Sequence, residues 1–303
     1  MHQLCIVSRR ADLYRQLIEE ADLPALSLTD NPDEATLVLA DPPLITDRLT
    51  QFPQLRWLQS TYAGIDALIQ PGLRSDYALT NVRGIFGQLI SEYVLGLLIS
   101  HQRHFSRYQA QQQQTQWQPH SYGALSDKTM VILGTGSIGQ HLAGAAKALG
   151  MTVLGVNRSG ESAAPGFDKV MAIKDLSEAL QQADVLVSVL PATAMTDNLL
   201  NADSLSHCRG SLLFNVGRGN AVCEPGLLQA LASGALSHAF LDVFKQEPLP
   251  AEHPFWCHPQ ITVTPHIAAE SFPQQVMEIF KTNYLRYVEG KPLQYQIDFT
   301  LGY

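Results

Sequence analysis

The chain has 303 residues, with 20 Lys and Arg against 28 Asp and Glu for a formal net charge of −8, 16% charged residues and 46% from the AVILMFWYC set. At roughly 150 residues per domain that length implies about two domains, each able to close its own core, and the apolar fraction excludes intrinsic disorder. The acidic balance argues against general binding to nucleic acid or an anionic membrane surface, while leaving room for a local basic pocket.

The N-terminal run MHQLCIVSRRADLYRQL meets Arg9 and Arg10 after one short apolar stretch and lacks the features of a signal peptide. No apolar run reaches the ~18 residues of a membrane helix, so a cytoplasmic chain without a membrane partner is expected. Cys5, Cys208, Cys223 and Cys257 form no C-x-x-C pair and are expected to be reduced thiols.

Short apolar runs at 4–7, 37–40, 55–60 and 77–82, with a helix-period stretch over 11–20, predict a first small α/β layer. Leu89, Tyr93, Leu97, His101/Phe105 and Tyr108 then recur at helical spacing and predict one long helix over 86–116, with Gln111 to Gln114 as solvated surface. After a loop marked by Pro119, Ser121 and Gly123, alternation restarts at Thr129. The runs TMVIL, TVLGV, ADVLVSVL, SLLFNV, AFLDV and ITVTP, with helices over 137–149 and 225–234, predict a parallel sheet with crossover helices. A final helix over 272–289 leaves a tail too short for a third domain.

MVILGTGSIGQHLAG places Gly134, Gly136 and Gly139 in the G-x-G-x-x-G spacing, directly after a predicted strand and opening a helix. The first glycine permits the tight turn, the second lets backbone approach a pyrophosphate, and the third lets helix and strand pack closely. Free N–H groups at the helix start would then face the phosphates. Eighteen to twenty residues beyond Gly139, where an NAD-preferring site usually has an acidic residue, stand Asn157, Arg158 and Ser159. A neutral Asn removes the charge that would repel a 2′-phosphate, and Arg158 and Ser159 can bind one. NADP(H) is therefore expected as the preferred cofactor, with NAD(H) also allowed.

Three further segments, NVGRG (215–219), LDVFKQEP (241–248) and TPHIAA (264–269), put polar side chains at the carboxyl ends of predicted strands, where open α/β sheets bind ligands. Reducing a 2-oxo acid needs a cation for the carboxylate, a proton donor for the carbonyl oxygen, and a partner that keeps the donor protonated. Arg218, His266 and Glu247 are those types: a guanidinium that can fork onto the carboxylate, an imidazole that titrates near neutrality, and a carboxylate that favours the imidazolium.

The ordered set GTGSIG, SVLPATAMT, NVGRG, LDVFKQEPLP and TPHIAA resembles the D-isomer-specific 2-hydroxyacid dehydrogenases across essentially the whole chain. Within them, WQP at 117–119, NRS at 157–159 and the QID…GY ending look most like the glyoxylate/hydroxypyruvate reductase A group, which uses NADPH. The resemblance implies Arg218, Glu247 and His266 as the catalytic set. It also implies Gly136, Ser137 and Ile138 at the pyrophosphate, Pro191 and Thr196 beside the adenosine, and Val216 and Asp242 near the nicotinamide, with Asp242 accepting from the carboxamide. STYAGID resembles the family's substrate loop, in which backbone groups of Ala63, Gly64 and Ile65 would hold the carboxylate together with Arg218 and His266.

The fold so implied has two α/β domains with parallel sheets, Rossmann-like and flavodoxin-like. A nucleotide domain over 85–272 is inserted into a discontinuous substrate domain formed by 1–84 plus 273–303. The helix near 86–116 would support a homodimer. Trp57, Tyr62 and RGIFGQ (83–88) are expected to shape the substrate pocket, leaving open a small acid such as glyoxylate or hydroxypyruvate or a broader lactate-type or aryl-pyruvate substrate. A nucleotide-sensing corepressor on the same fold is the alternative from another class; the intact Arg, Glu and His set argues against it. His253, Cys257 and His258 fit no closed zinc pattern, His101 and His104 lack a carboxylate partner, and no metal site is expected.

Overall fold

Short uninterrupted apolar runs become the inner strands of two parallel sheets, each covered on both faces by crossover segments. A computed structural model describes residues 1–161, 166–300 and 302. They divide into two units, 1–85 with 271–303, and 86–270.

In the first unit, β1 (His2–Val7), α1 (Ala11–Ala21), β2 (Leu26–Leu28), β3 (Leu37–Ala40), α2 (Pro42–Ile45), β4 (Trp57–Ser60) and β5 (Ala78–Thr80) follow one another. The strands form one parallel sheet of order β2-β1-β3-β4-β5, the flavodoxin-like arrangement. Leu37 to Ala40 are all at most 1% exposed, as expected of a strand buried on both faces. Helix α1 turns Tyr14 and Ile18, one turn apart, into the core. The closing helix Pro273–Val288 packs on α1, and the tail returns to the sheet, where the Ile297 amide donates to the Leu79 carbonyl at 2.8 Å. Of the GY ending noted in the sequence, Tyr303 lies outside the described residues.

Trp57 is not a pocket residue. It is wholly buried, its ring is stacked on Phe280 with centroids 5.3 Å apart, and its Nε1 donates to Thr80 Oγ1 at 2.8 Å. An indole with its face covered and its N–H satisfied is core, a distinction that residue type alone does not make.

The second unit begins with α3 (Gly87–Gln102) and α4 (Phe105–Gln113), which correct the single helix expected over 86–116. Between them His104 takes the left-handed conformation at φ 59°, and its Nε2 lies 2.9 Å from the Ser121 carbonyl oxygen. One residue in that conformation ends a helix without disturbing the apolar period around it. The face of α3 also differs from the expected stripe. Gly87, Ile90, Ser91, Val94 and Leu98 are the buried residues, while Leu89, Tyr93 and Leu97 are half-buried. The helix lies against α5 (Ser137–Ala148) through small and polar groups, with Ser91 Oγ 2.9 Å from His141 Nδ1, contacts that a hydrophobic pattern cannot register. Gln111 is buried rather than solvated.

The remaining elements alternate as β6 (Thr129–Leu133), α5, β7 (Thr152–Asn157), β8 (Lys169–Ala172), α6 (Leu176–Gln182), β9 (Val185–Ser188), α7 (Ala202–Leu205), β10 (Ser211–Asn215), α8 (Glu224–Ser233), β11 (Leu236–Leu241) and β12 (Ile261–Val263). Their sheet is parallel throughout, in the order β12-β11-β10-β9-β6-β7-β8. This is the Rossmann order with a seventh strand, and its direction reverses between β6 and β9, where such sheets bind ligands. Among the described residues no helix is long and apolar enough to cross a membrane, and all four cysteines are free.

The turn from β6 into α5 depends on a close backbone approach. A Cβ on Gly139 would fall 2.0 Å from the Gly134 carbonyl oxygen. Gly139→Ala is therefore expected to destabilise the protein by about 2 kcal/mol, an overpacking cost larger than the helix preference of Ala, and to lower Tm by about 4–8 °C in a thermal melt.

Candidate active site

Three strand ends of the second unit carry the polar groups, and local backbone rules fix each one. Gly134 leaves β6 at φ +105°, a region closed to side-chain-bearing residues, and Gly136 is the N-cap of α5 with no side-chain cap. A Cβ built on Gly136 meets no described atom within 4 Å. Gly136 and Ser137 are exposed and Ile138 is half-buried, so open space lies before a helix N-terminus, the arrangement that receives a pyrophosphate.

Beyond β7, the Asn157 side chain is engaged at every polar atom. Its Nδ2 donates to Thr135 Oγ1 at 2.8 Å and to the Glu161 carbonyl at 2.7 Å, and its Oδ1 accepts from the amides of Ser159 and Gly160 at 3.1 and 2.7 Å. Asn157 thus shapes the loop on which Arg158 and Ser159 stand exposed. Thr196 folds its own loop, with Oγ1 donating to the Pro191 carbonyl at 2.7 Å and accepting from the Thr193 amide at 2.9 Å. Val216 is buried directly after β10.

Glu247 and His266 meet directly, with His266 Nδ1 2.7 Å from Glu247 Oε2. The other carboxylate oxygen, Oε1, accepts from the Phe244 amide at 2.9 Å. The His266–Glu247 hydrogen bond, with Glu247's charge and a smaller contribution from Asp242, raises the His266 pKa above the ordinary histidine value against burial and the charge of Arg218. Burial pushes the Glu247 carboxyl up, but its hydrogen bonds from His266 and Phe244 and the charges of His266 and Arg218 outweigh that and leave it below its ordinary value. Arg218 is half-buried in the turn after β10, and its Nη1 donates to the Gly217 carbonyl at 2.8 Å. A Cβ on the next residue, Gly219, would lie 1.9 Å from the Phe244 carbonyl carbon. Glycine there brings the Arg218 turn against the backbone that carries Glu247. The side chain of His266, aimed from the segment after β12, is half exposed.

Asp242 does more than its sequence position suggests. Only 1% exposed, it accepts from Thr264 Oγ1 at 2.7 Å, the Ile267 amide at 2.8 Å and the Ala268 amide at 2.9 Å. A carboxylate has about four acceptor sites, so capacity remains on Oδ2. Thr264 and Tyr93 escaped the sequence reasoning: Tyr93 Oη lies 2.6 Å from Thr264 Oγ1 across 171 residues of chain, and no local pattern joins them.

Within the first unit, the loop after β4 is braced from below. Asn81 Nδ2 donates to the Ala63 carbonyl at 2.7 Å, the Val82 amide donates to the Tyr62 carbonyl at 3.2 Å, and Arg83 Nε donates to Asn81 Oδ1 at 3.1 Å. Ala63 and Gly64 are half-buried, whereas the Ile65 side chain belongs to the core.

His101, His238 and His253, outside this set, have partners of their own. His101 packs on His238 with centroids 5.0 Å apart, and the His238 imidazole is pushed down to about 4 by burial and then by the charges of His101 and His258. His253 Nε2 lies 3.3 Å from Glu224 Oε2. Among the described residues no group of three or more His, Cys, Asp or Glu could hold a metal ion.

Comparison with known proteins gives a consistent picture. The family described as D-isomer specific 2-hydroxyacid dehydrogenase, NAD binding domain, matches residues 95–268. Glyoxylate/hydroxypyruvate reductase A of Serratia proteamaculans (strain 568) is 34% identical over 282 residues, covering 90% of this chain and 89% of that one. The crystal structure of a D-isomer specific 2-hydroxyacid dehydrogenase family protein from Aeromonas salmonicida subsp. salmonicida A449 aligns with TM-score 0.94 and 48% identity, over 98% of this chain and 99% of that one. An NADPH-dependent glyoxylate/hydroxypyruvate reductase from Sinorhizobium meliloti, crystallised with NADP and sulfate, aligns with TM-score 0.87 and 26% identity over 100% of both chains.

Because the Glu247 contact is the leading cause of the raised His266 pKa, Glu247→Gln is expected to move it down. The imidazolium, present at pH values below its pKa, would then be lost earlier as pH rises. Titration of the His266 ring nitrogens by NMR checks the direction.

Proposed function

Given that the chain belongs to the D-isomer specific 2-hydroxyacid dehydrogenase family and is an NAD(P)-dependent enzyme of that class, we propose that it reduces a small 2-oxo acid, glyoxylate or hydroxypyruvate, to the D-2-hydroxy acid with NADPH. The observation that carries this reading is the 2.7 Å contact between His266 and Glu247, in which a carboxylate favours the imidazolium of a proton donor.

The chain's residues divide the work. Gly134, Gly136, Ser137, Ile138 and Gly139 receive the pyrophosphate, Arg158 and Ser159 bind the 2′-phosphate on the loop that Asn157 shapes, and Pro191 and Thr196 flank the adenosine. Val216 and the remaining acceptor site of Asp242 face the nicotinamide. Bound there, the reduced cofactor supplies the hydride. Arg218 pairs with the substrate carboxylate and polarises the carbonyl oxygen. His266 gives its proton to that oxygen as negative charge develops on it, and Glu247 keeps the imidazole oriented and protonated. In the oxidation direction the neutral imidazole takes the proton back.

The NADPH preference is supported by the neutral Asn157 followed by exposed Arg158 and by the NADP complex of the Sinorhizobium meliloti relative. A homodimer is supported by the exposed aromatics Phe105, Trp117 and Tyr122 in one stretch of the second unit, with Trp117 100% exposed.

The test is the loss of reduced-nicotinamide absorbance with NADPH and NADH in parallel against glyoxylate, hydroxypyruvate, pyruvate and an aryl-pyruvate. Rapid NADPH oxidation with the two small acids is expected, and turnover confined to the bulky acid would overturn the substrate assignment. His266→Ala is expected to lose ~10²–10⁴ in kcat while still binding NADPH. Arg158→Ala is expected to raise the KM for NADPH and leave that for NADH unchanged; equal KM values in parent and variant would remove Arg158 from cofactor selection.

A further inference from the structure

The proton donor stands on strained backbone. His266 has φ +54°, a left-handed conformation that side-chain-bearing residues adopt at a cost and that persists where the surroundings over-determine it. The restraints converge on one residue. The His266 amide donates to the Asp242 carbonyl at 2.9 Å, and the Asp242 carboxylate accepts from the Ile267 amide, the Ala268 amide and Thr264 Oγ1. Asp242 therefore holds the segment on both sides of the histidine, and the hydroxyl of Thr264 is its side-chain anchor.

The direction of the protons follows from counting them. An ionised carboxylate only accepts, so the single proton of the Thr264 hydroxyl points to Asp242 Oδ1. At 2.6 Å from Thr264 Oγ1, Tyr93 must then be the donor in the next bond. The chain Tyr93 to Thr264 to Asp242 is one polarised line, in which each bond strengthens the next. It begins on the third position of the second turn of α3, an element otherwise given to packing against α5. Burial, partly offset by the Thr264 bond and reinforced by the Asp242 charge, pushes the Tyr93 hydroxyl up to about 12, so it retains its proton throughout the neutral range.

We propose that Tyr93 is a positioning residue for the reaction, its hydroxyl acting through Thr264 and Asp242 to hold the 264–268 segment in the turn that presents His266 to the substrate. The inference rests on the reading of His266 as proton donor and adds a residue that acts on it through Thr264 and Asp242. Tyr93→Phe removes one oxygen and leaves the packed ring. Loosening of the turn then misplaces the imidazole by fractions of an ångström, enough to affect proton transfer strongly, while Arg218 and the N-terminus of α5, outside this segment, stay where they are.

The test compares Tyr93→Phe, Thr264→Val, Thr264→Ser and the double variant Tyr93→Phe/Thr264→Val by steady-state reduction of the small 2-oxo acid with NADPH, and follows the His266 ring by NMR titration in cofactor-free protein. Tyr93→Phe is expected to lower kcat about tenfold with both KM values within about threefold of the parent. Its imidazole should titrate at lower pH, since the contact with Glu247 loosens while Arg218 and Asp242 remain its other charged neighbours. Thr264→Ser, which keeps the hydroxyl, should recover most of the kcat lost in Thr264→Val, and the double variant should fall no further than Thr264→Val alone. A kcat within twofold of the parent in Tyr93→Phe, an unchanged imidazole titration, or additive losses in the double variant would overturn the proposal. Should His266→Ala turn over at the parent rate, the proton-donor reading falls by itself, and the imidazole titration still reports whether Tyr93 holds the segment.

Discussion

A carboxylate withdrawn from water must find its donors within the protein or lose more free energy than one hydrogen bond returns. Asp242 meets that demand with one hydroxyl and two amides, all drawn from the short stretch 264–268. This requirement organises the loops at the carboxyl ends of the last strands of the larger unit. It fixes the path of the chain after β12, compels a histidine into a conformation that it would not choose, and brings that histidine onto Glu247. The two acidic residues are chemically alike yet do different work. Asp242 is enclosed and shapes backbone, whereas Glu247 has a half-exposed histidine as partner and shapes a proton affinity.

The glycines express the same economy in backbone terms. Gly139 allows α5 to meet the Gly134 carbonyl and Gly219 allows the Arg218 turn to meet the Phe244 backbone. Each contact replaces a side chain with a main-chain neighbour and so leaves the loop no room for a Cβ. A parallel sheet supplies the frame, since its loops at the carboxyl ends of the strands gather at one edge whatever their distance in sequence. Gly134, Val216, Asp242 and the segment ending at His266 are brought to that edge by β6, β10, β11 and β12.

Most of this frame was legible beforehand. Runs such as LVLA and TMVIL declare strands covered on both faces, and the glycine spacing declares the turn that follows β6. What escaped has physical reasons. The break at His104 is a single dihedral, invisible to a period that continues on both sides of it. The buried face of α3 uses Gly87 and Ser91, which a hydrophobic pattern counts as polar or empty. Trp57 was expected to face a ligand and is held instead by Phe280 and Thr80, two contacts from distant stretches. In the candidate site, residue type singled out Arg218, Glu247 and His266, and the last two stand 2.7 Å apart. The partnership of Tyr93 with Thr264 joins residues 171 apart, and a tyrosine at helical spacing reads as one more apolar position.

The saturated amide of Asn157 constrains what can replace it. An acidic side chain at that place is the ordinary means of favouring a ribose hydroxyl over a phosphate, and it differs from asparagine by one group. That group is the one that donates to the Glu161 carbonyl and to Thr135. Aspartate would set a charged oxygen against the Glu161 carbonyl oxygen and weaken the loop that Asn157 shapes. The neutral residue is thus tied to its loop, and an acidic replacement there calls for a second change that relieves the Glu161 carbonyl.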